Sequence, residues 1–344
     1  MEQGKLKIWL PTIRTGTGSD VFTQRLAAAL DSRGIIAEIT WFPLKYEVMP
    51  FLLRGIAPPP GTDIVFANSW SGFAFKRSGI PLVISSLHPE FVARGADLNV
   101  AQYLYHTLFI RRYEKWSFQA ADAITAISEY TAGSLRQGRH AHKVEVIPLW
   151  LDFEKYHADG SVLPPGQAAT EGSHRPFKLL FVGTPSYRKG VDLLPSIMRE
   201  LGDNFQLRMI GTPADPSPFP ANVVHLGRVS ESDLIRAYCE CDALLFPSRW
   251  EGFGYTALEA MACEKPVVTS NATALPEVVE DGVTGILCRS GAVEDFVAAC
   301  RRLAADPAQA QLMGKAGRER AIELFSEDSA LRKFVTLFKR LAAI

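Results

Sequence analysis

Two carboxylates, Glu251 and Glu259, lie eight residues apart in the run Glu251-Gly-Phe-Gly-Tyr-Thr-Ala-Leu-Glu259. Both could face one ligand, one at each end of it. Carboxylates repel phosphate, so their natural partners are hydroxyl groups. Between them Gly252 and Gly254 leave the backbone bare, and a ligand can approach it closely. Phe253 stands between these glycines, and Tyr255 to Leu258 begin a segment of helical composition. A helix starting there aims unpaired N–H groups and a positive dipole end at an anion. Hydroxyls at both ends and an anion in the middle describe a sugar nucleotide. A second cluster is Arg188-Lys189-Gly190, which follows the apolar run ending at Gly183 and precedes another helical stretch. Two cations and a glycine at a helix N-terminus make an anion site. His88 follows the apolar run Ile80-Pro-Leu-Val-Ile-Ser85, and a polar catalytic group belongs just past such a strand.

These groups need strands to carry them. Asp242-Ala-Leu-Leu-Phe-Pro247 reads as a short buried strand stopped by proline, and Pro266-Val-Val-Thr269 as the next one. Between them lie the Ser248–Gly254 loop and the helical segment, so Glu251 sits at a carboxyl edge, where open α/β sheets bind ligands. The same strand–loop–helix–strand order opens both halves. In the first half, a strand at 5–10 ends at Pro11, the loop holds Gly16-Thr-Gly18, a helix runs over 21–32, and a strand over 35–41. Gly16-x-Gly18 is not a dinucleotide fingerprint, because Val21 stands where the third glycine is needed. Residues 177–183 open the second half. Residues 158–176 are rich in Gly, Pro, Ala and Ser without periodicity, which predicts a linker. The expected division is 1–157, the linker 158–176, 177–325, and a last helix over 326–344.

The chain has 344 residues, enough for two ordinary domains. Lys plus Arg and Asp plus Glu are 37 each, which argues against a nucleic-acid partner held by bulk charge. Five scattered cysteines form no zinc or disulfide framework, and buried free thiols in a reducing cytoplasm are the expectation. No apolar run reaches the length of a membrane span. Residues 42–60 and 103–121 mix large apolar side chains with Lys45, Arg54, Arg111, Arg112 and Lys115. Each is readable as packed helix or as peripheral contact with an anionic membrane face.

The motifs Pro-Ser-x-x-Glu251-Gly-Phe-Gly, Leu-Glu259-Ala-Met-Ala-Cys and Pro-Val-Val fall in one register. Together they resemble the donor-site signature of the GT4 family of retaining glycosyltransferases, from about Phe177 to the end and more weakly before it. The resemblance implies an α/β GT-B fold: two Rossmann-like βαβ domains facing across a cleft, with the last helix crossing back to the first domain. It implies a sugar nucleotide held mainly by the second domain and a carbohydrate or glycolipid acceptor held by the first. Gly183, Lys189 and Gly190 match the family's pyrophosphate-gripping loop. The arginine after its first glycine is Thr184 here, and Arg188 is expected to replace it. By the resemblance Glu251 holds sugar hydroxyls, Glu259 the ribose, and His88 contacts the transferred sugar or orients the acceptor. Gly16 and Gly18 lie in the loop placed against phosphates and acceptor, and Arg228 on the strand near the base. The implied activity is retaining transfer in polysaccharide, lipopolysaccharide or glycolipid synthesis, with no metal or other cofactor, in the cytoplasm or at the membrane's inner face. Another GT-B activity, such as a sugar-nucleotide epimerase or phosphorylase, and a non-catalytic sugar-nucleotide-binding protein are the alternatives.

Overall fold

The computed structural model describes residues 5–16, 18–87, 104–137, 141–156, 175–212 and 217–343. The chain forms two α/β units, one of Met1–Leu149 with Glu327–Ile344 and one of Trp150–Ser326.

The first unit opens with β1 (Lys7–Ile13), α1 (Gly18–Ser32), β2 (Ile36–Phe42), β3 (Ile64–Asn68) and β4 (Leu82–Ser86). It continues with α2 (Arg111–Ala120), β5 (Ala123–Ala126), α3 (Glu129–Arg136) and β6 (Val144–Val146). The strands pair in parallel in the order β2-β1-β3-β4-β5-β6. Strands β3, β4 and β5 are short apolar runs buried on both faces, as parallel strands covered by helices must be. Trp9, at the centre, stacks edge-on to Phe75 and donates its indole N–H to Thr40 Oγ1 at 2.8 Å.

Strand β1 does not end at Pro11, as expected, but runs on to Ile13, with Pro11 opposite Thr40 of β2. Backbone groups of Lys7 and its odd-numbered neighbours face β3, which pairs with β1 only at Ile8 and Trp9. The nitrogen of Pro11 therefore points where no ladder continues, and its missing N–H leaves nothing unpaired.

The second unit runs β7 (Phe177–Val182), α4 (Leu194–Leu201), β8 (Phe205–Ile210), β9 (Val223–Gly227), α5 (Glu231–Glu240) and β10 (Ala243–Phe246). It then adds α6 (Tyr255–Ala262), β11 (Val267–Ser270), α7 (Leu275–Val278), β12 (Gly285–Cys288), α8 (Val293–Ala305) and α9 (Pro307–Phe325). The strand order is β12-β11-β10-β7-β8-β9, all parallel. The chain winds outward from β7 to β9, returns, and winds the other way from β10 to β12. The direction reverses between β7 and β10.

The last helix, α10 (Glu327–Leu341), belongs to the first unit, where Phe334 and Phe338 pack edge-on to Phe66 with ring centroids 5.8 and 5.9 Å away. The expected boundary at residue 157 falls too late. Residues 150–156 belong to the second unit because Leu151 bridges Ser326 and the Tyr156 carbonyl accepts from Arg318 at 2.6 Å. Residues 157–174, most of the expected linker, lie outside the described residues. All five cysteines are free and buried. Among the described residues no helix is long and apolar enough to cross a membrane.

Candidate functional site

Lys189 and Glu251 lie in the loops that leave β7 and β10, the strands on either side of the reversal. That switch point, at the carboxyl ends of the strands, is where an open parallel sheet leaves a crevice. Lys189 Nζ donates to Glu251 Oε1 at 2.6 Å, and Ser248 Oγ donates to the same oxygen at 2.7 Å. Only 13% of the Lys189 side chain and 10% of that of Glu251 are exposed. Arg188 Nη1 stands 3.7 Å from the other oxygen, Oε2, and its side chain is 41% exposed. The pair is therefore neutralised and sheltered, while Arg188 presents positive charge to solvent beside it. Arg188 is aimed by Trp250: Nη1 donates to the Trp250 carbonyl at 3.1 Å, and the guanidinium lies 5.7 Å from the ring centroid.

The two loops are locked together at short range. Gly190 has φ +71°, and a Cβ there would come within 2.0 Å of the Pro247 carbonyl oxygen. Only glycine lets the Lys189 loop approach the β10 loop so closely. The Arg249 amide donates to the Arg188 carbonyl at 2.8 Å. The Arg249 guanidinium grips both oxygens of Asp192 at 2.6 and 2.7 Å and lies 3.9 Å over the Tyr187 ring. The Glu251 amide donates to Thr273 Oγ1 at 3.0 Å, which ties in the loop after β11.

Glu259 lies one turn into α6. Its two oxygens accept from the Tyr156 hydroxyl at 3.1 Å and the Tyr238 hydroxyl at 2.8 Å. Burial, then the charge of Glu259, pushes the Tyr238 phenol well above its ordinary value. Tyr238 thus stays a neutral donor that orients the carboxylate. Gly254 caps the helix at φ +107°, and Gly252 is half-buried in the loop before it. The side chains of Phe253 and Leu258 are buried, and the Tyr255 hydroxyl donates to the Trp150 carbonyl at 3.0 Å. What this turn can offer a ligand is its backbone. Gly183 directly follows β7 and donates to the Ile210 carbonyl at 3.1 Å, and its own carbonyl abuts Gly211. Arg228 is exposed just beyond β9.

In the first unit, Gly16 has φ +73° and donates its N–H to Asp20 Oδ2 at 2.7 Å. Thr15 donates to the same carboxylate from its amide at 3.0 Å and from its hydroxyl at 3.0 Å. Asp20, buried in the first turn of α1, thereby fixes the loop, and Gly18 begins the helix. His88 lies outside the described residues.

Several of these residues escape a reading of the sequence. Ser248 stood inside the quoted Pro-Ser-x-x-Glu pattern without a role. Tyr156 lies 103 residues from Glu259 and inside the expected first domain, so no local spacing could join them. Asp20 carried a signal, an acid in the first turn after a glycine loop, that also fits a plain helix cap.

Residues 167–320 match the family model of glycosyl transferases group 1, and residues 20–155 that of glycosyltransferase family 4. The chain is 31% identical over 303 residues to D-inositol 3-phosphate glycosyltransferase of Kribbella flavida, covering 78% of this chain and 69% of that protein. A Klebsiella pneumoniae protein described as uncharacterized, in a cps region, is 38% identical over 113 residues, only 32% of either chain. The chain belongs to this glycosyltransferase family.

Among solved structures it is similar to sucrose-phosphate synthase of Thermosynechococcus elongatus, with TM-score 0.80 and 20% identity over 98% of this chain and all of that one. It is also similar to Anabaena HepE in complex with UDP-glucose, with TM-score 0.73 and 16% identity over 97% of this chain and all of that one. The two parallel six-stranded sheets are those of the GT-B fold.

Proposed function

We propose that this protein moves a sugar from a nucleotide-diphosphate sugar to a hydroxyl of a carbohydrate or glycolipid acceptor, with retention and without a metal ion. The observation that carries the reading is the Lys189–Glu251–Ser248 cluster with Arg188 beside it, at the switch point of the second sheet. The UDP-glucose held by the structurally similar HepE supports a sugar nucleotide as donor. Resemblance to a protein of a cps region supports polysaccharide, lipopolysaccharide or glycolipid synthesis as the setting.

Transfer breaks the bond between the anomeric carbon and the diphosphate oxygen. The transition state is oxocarbenium-like, and negative charge gathers on the phosphate. An ammonium has three N–H donors and Glu251 takes one of them, so Lys189 can also donate to phosphate. Arg188, more exposed, adds a second cation. Glu251 then serves two ends: it anchors Lys189 and accepts from sugar hydroxyls. Glu259, oriented by two phenols, accepts from the ribose. In the proposed front-face path the acceptor oxygen bonds to the anomeric carbon on the side the phosphate leaves. The hydroxyl proton passes to the departing phosphate oxygen, which keeps the configuration and balances the charges.

The test is to incubate the full chain with UDP-, GDP- and ADP-sugars and an oligosaccharide, with and without EDTA, following the anomeric proton by NMR. One donor should be consumed at the same rate with EDTA, giving a product of the donor's own anomeric configuration. An inverted product, or a reaction that EDTA stops, contradicts the proposal.

A further inference from the structure

Seventeen large apolar side chains are exposed among the described residues, and nine of them fall in residues 44–56 and 104–109 of the first unit. They include Leu44, Phe51, Leu52, Leu104, Leu108 and Phe109, the last two 59% and 47% exposed. The two segments form one surface. The Tyr105 hydroxyl donates to the Glu47 carbonyl at 3.1 Å, and that of Tyr113 to the Val48 carbonyl at 2.9 Å. Phe109 stacks on Tyr105 with centroids 5.8 Å apart.

The fully exposed charged residues of these segments are all cations. Lys45, Arg54, Arg111, Arg112 and Lys115 are exposed, and none is ion-paired with a carboxylate of the described residues. The only carboxylates in 44–56 and 104–120 are Glu47, half-buried, and Glu114, buried under a 2.8 Å hydrogen bond from Ser69.

We infer that this face of the first unit docks on an anionic lipid bilayer. Exposed aliphatic and aromatic side chains interleaved with unpaired cations are what the headgroup boundary of such a membrane takes up. A second copy of the chain is the poorer occupant, because a two-fold contact would set the five cations against five more. The inference is independent of the donor-site reading, since it uses none of those residues.

The test is flotation of the full chain with vesicles of phosphatidylcholine alone or with about one third phosphatidylglycerol. Wild type should float only with the anionic vesicles, and less as salt rises. Leu52→Glu with Leu108→Glu should lower partition at least about tenfold. Arg111→Gln with Lys115→Gln should lower it about fivefold per cation removed. Leu312→Glu with Ile322→Glu, exposed positions of the second unit, should leave it unchanged. All variants change exposed sites, and unaltered melting temperatures verify their folding. The inference fails if wild type ignores anionic vesicles or if both leucine-type pairs act equally. It also fails if the 52/108 pair merely dissolves a dimer seen without lipid.

Discussion

Glu251 sits in a sheltered position where Lys189 and Ser248 both donate to its carboxylate. Removing one partner of such a pair leaves an uncompensated charge, while removing both is far milder. Lys189→Ala should therefore lose about 3 kcal/mol in urea unfolding. Lys189→Met combined with Glu251→Gln should recover most of that stability. Its transfer rate should still fall at least about a hundredfold, the usual cost of deleting a preorganised donor to developing charge. A double variant that regains activity along with stability would make the pair structural only. At this scale the sequence was informative about chemistry and silent about pairing. Glu251, Lys189 and Glu259 stood out by type and context. Their contacts cross 62 residues in one case and 103 in another, and only the folded sheet brings them together.

The loops after β7 and β10 hold the cluster by backbone approach, so a substitution with no polar atom can dismantle it. Gly190→Ala places a methyl against the Pro247 carbonyl and imposes left-handed backbone on alanine. A loss of about 2 kcal/mol or more is expected, with transfer falling further than stability explains, as measured by urea unfolding and initial rates on the same samples. If Gly190→Ala is neutral in both, the close approach is not what positions Lys189.

Most strands were readable because parallel strands buried on both faces are plain apolar runs. Strand β12 carries no such signal, since Gly285-Ile-Leu-Cys288 is four residues opening with glycine and is strand only by pairing with β11. Pro11 misled in the opposite sense: proline is tolerated where the neighbouring ladder has already stopped.

For the molecule as a whole, the two-unit plan was legible from two strand–loop–helix openings, but the point of division was not. Residues 150–156 lack strand or helix signals, and contacts distant in sequence assign them to the second unit. Helix α10 returns to the first unit, where Leu331, Phe334, Leu337 and Phe338 are buried. Arg33 pairs there with Asp328, and Arg340 with Glu145. Ending the chain after residue 326 removes four large apolar side chains, each contributing about 1.5–3 kcal/mol by burial. Calorimetry of that truncation should show the first unit melting much earlier or already unfolded, with the second unit's transition retained. A single unchanged transition would rule out this role for α10.

The most direct measurement is calorimetric titration of the full chain with UDP, GDP, ADP and NAD, each with EDTA. Arg188→Gln and the Lys189→Met, Glu251→Gln double variant are titrated beside wild type. One nucleoside diphosphate should bind wild type regardless of EDTA, and each variant should bind it at least about tenfold more weakly, as expected for losing a charged hydrogen bond. Binding of NAD alone, or nucleoside-diphosphate binding untouched by both variants, would contradict a sugar-nucleotide site at Arg188, Lys189 and Glu251.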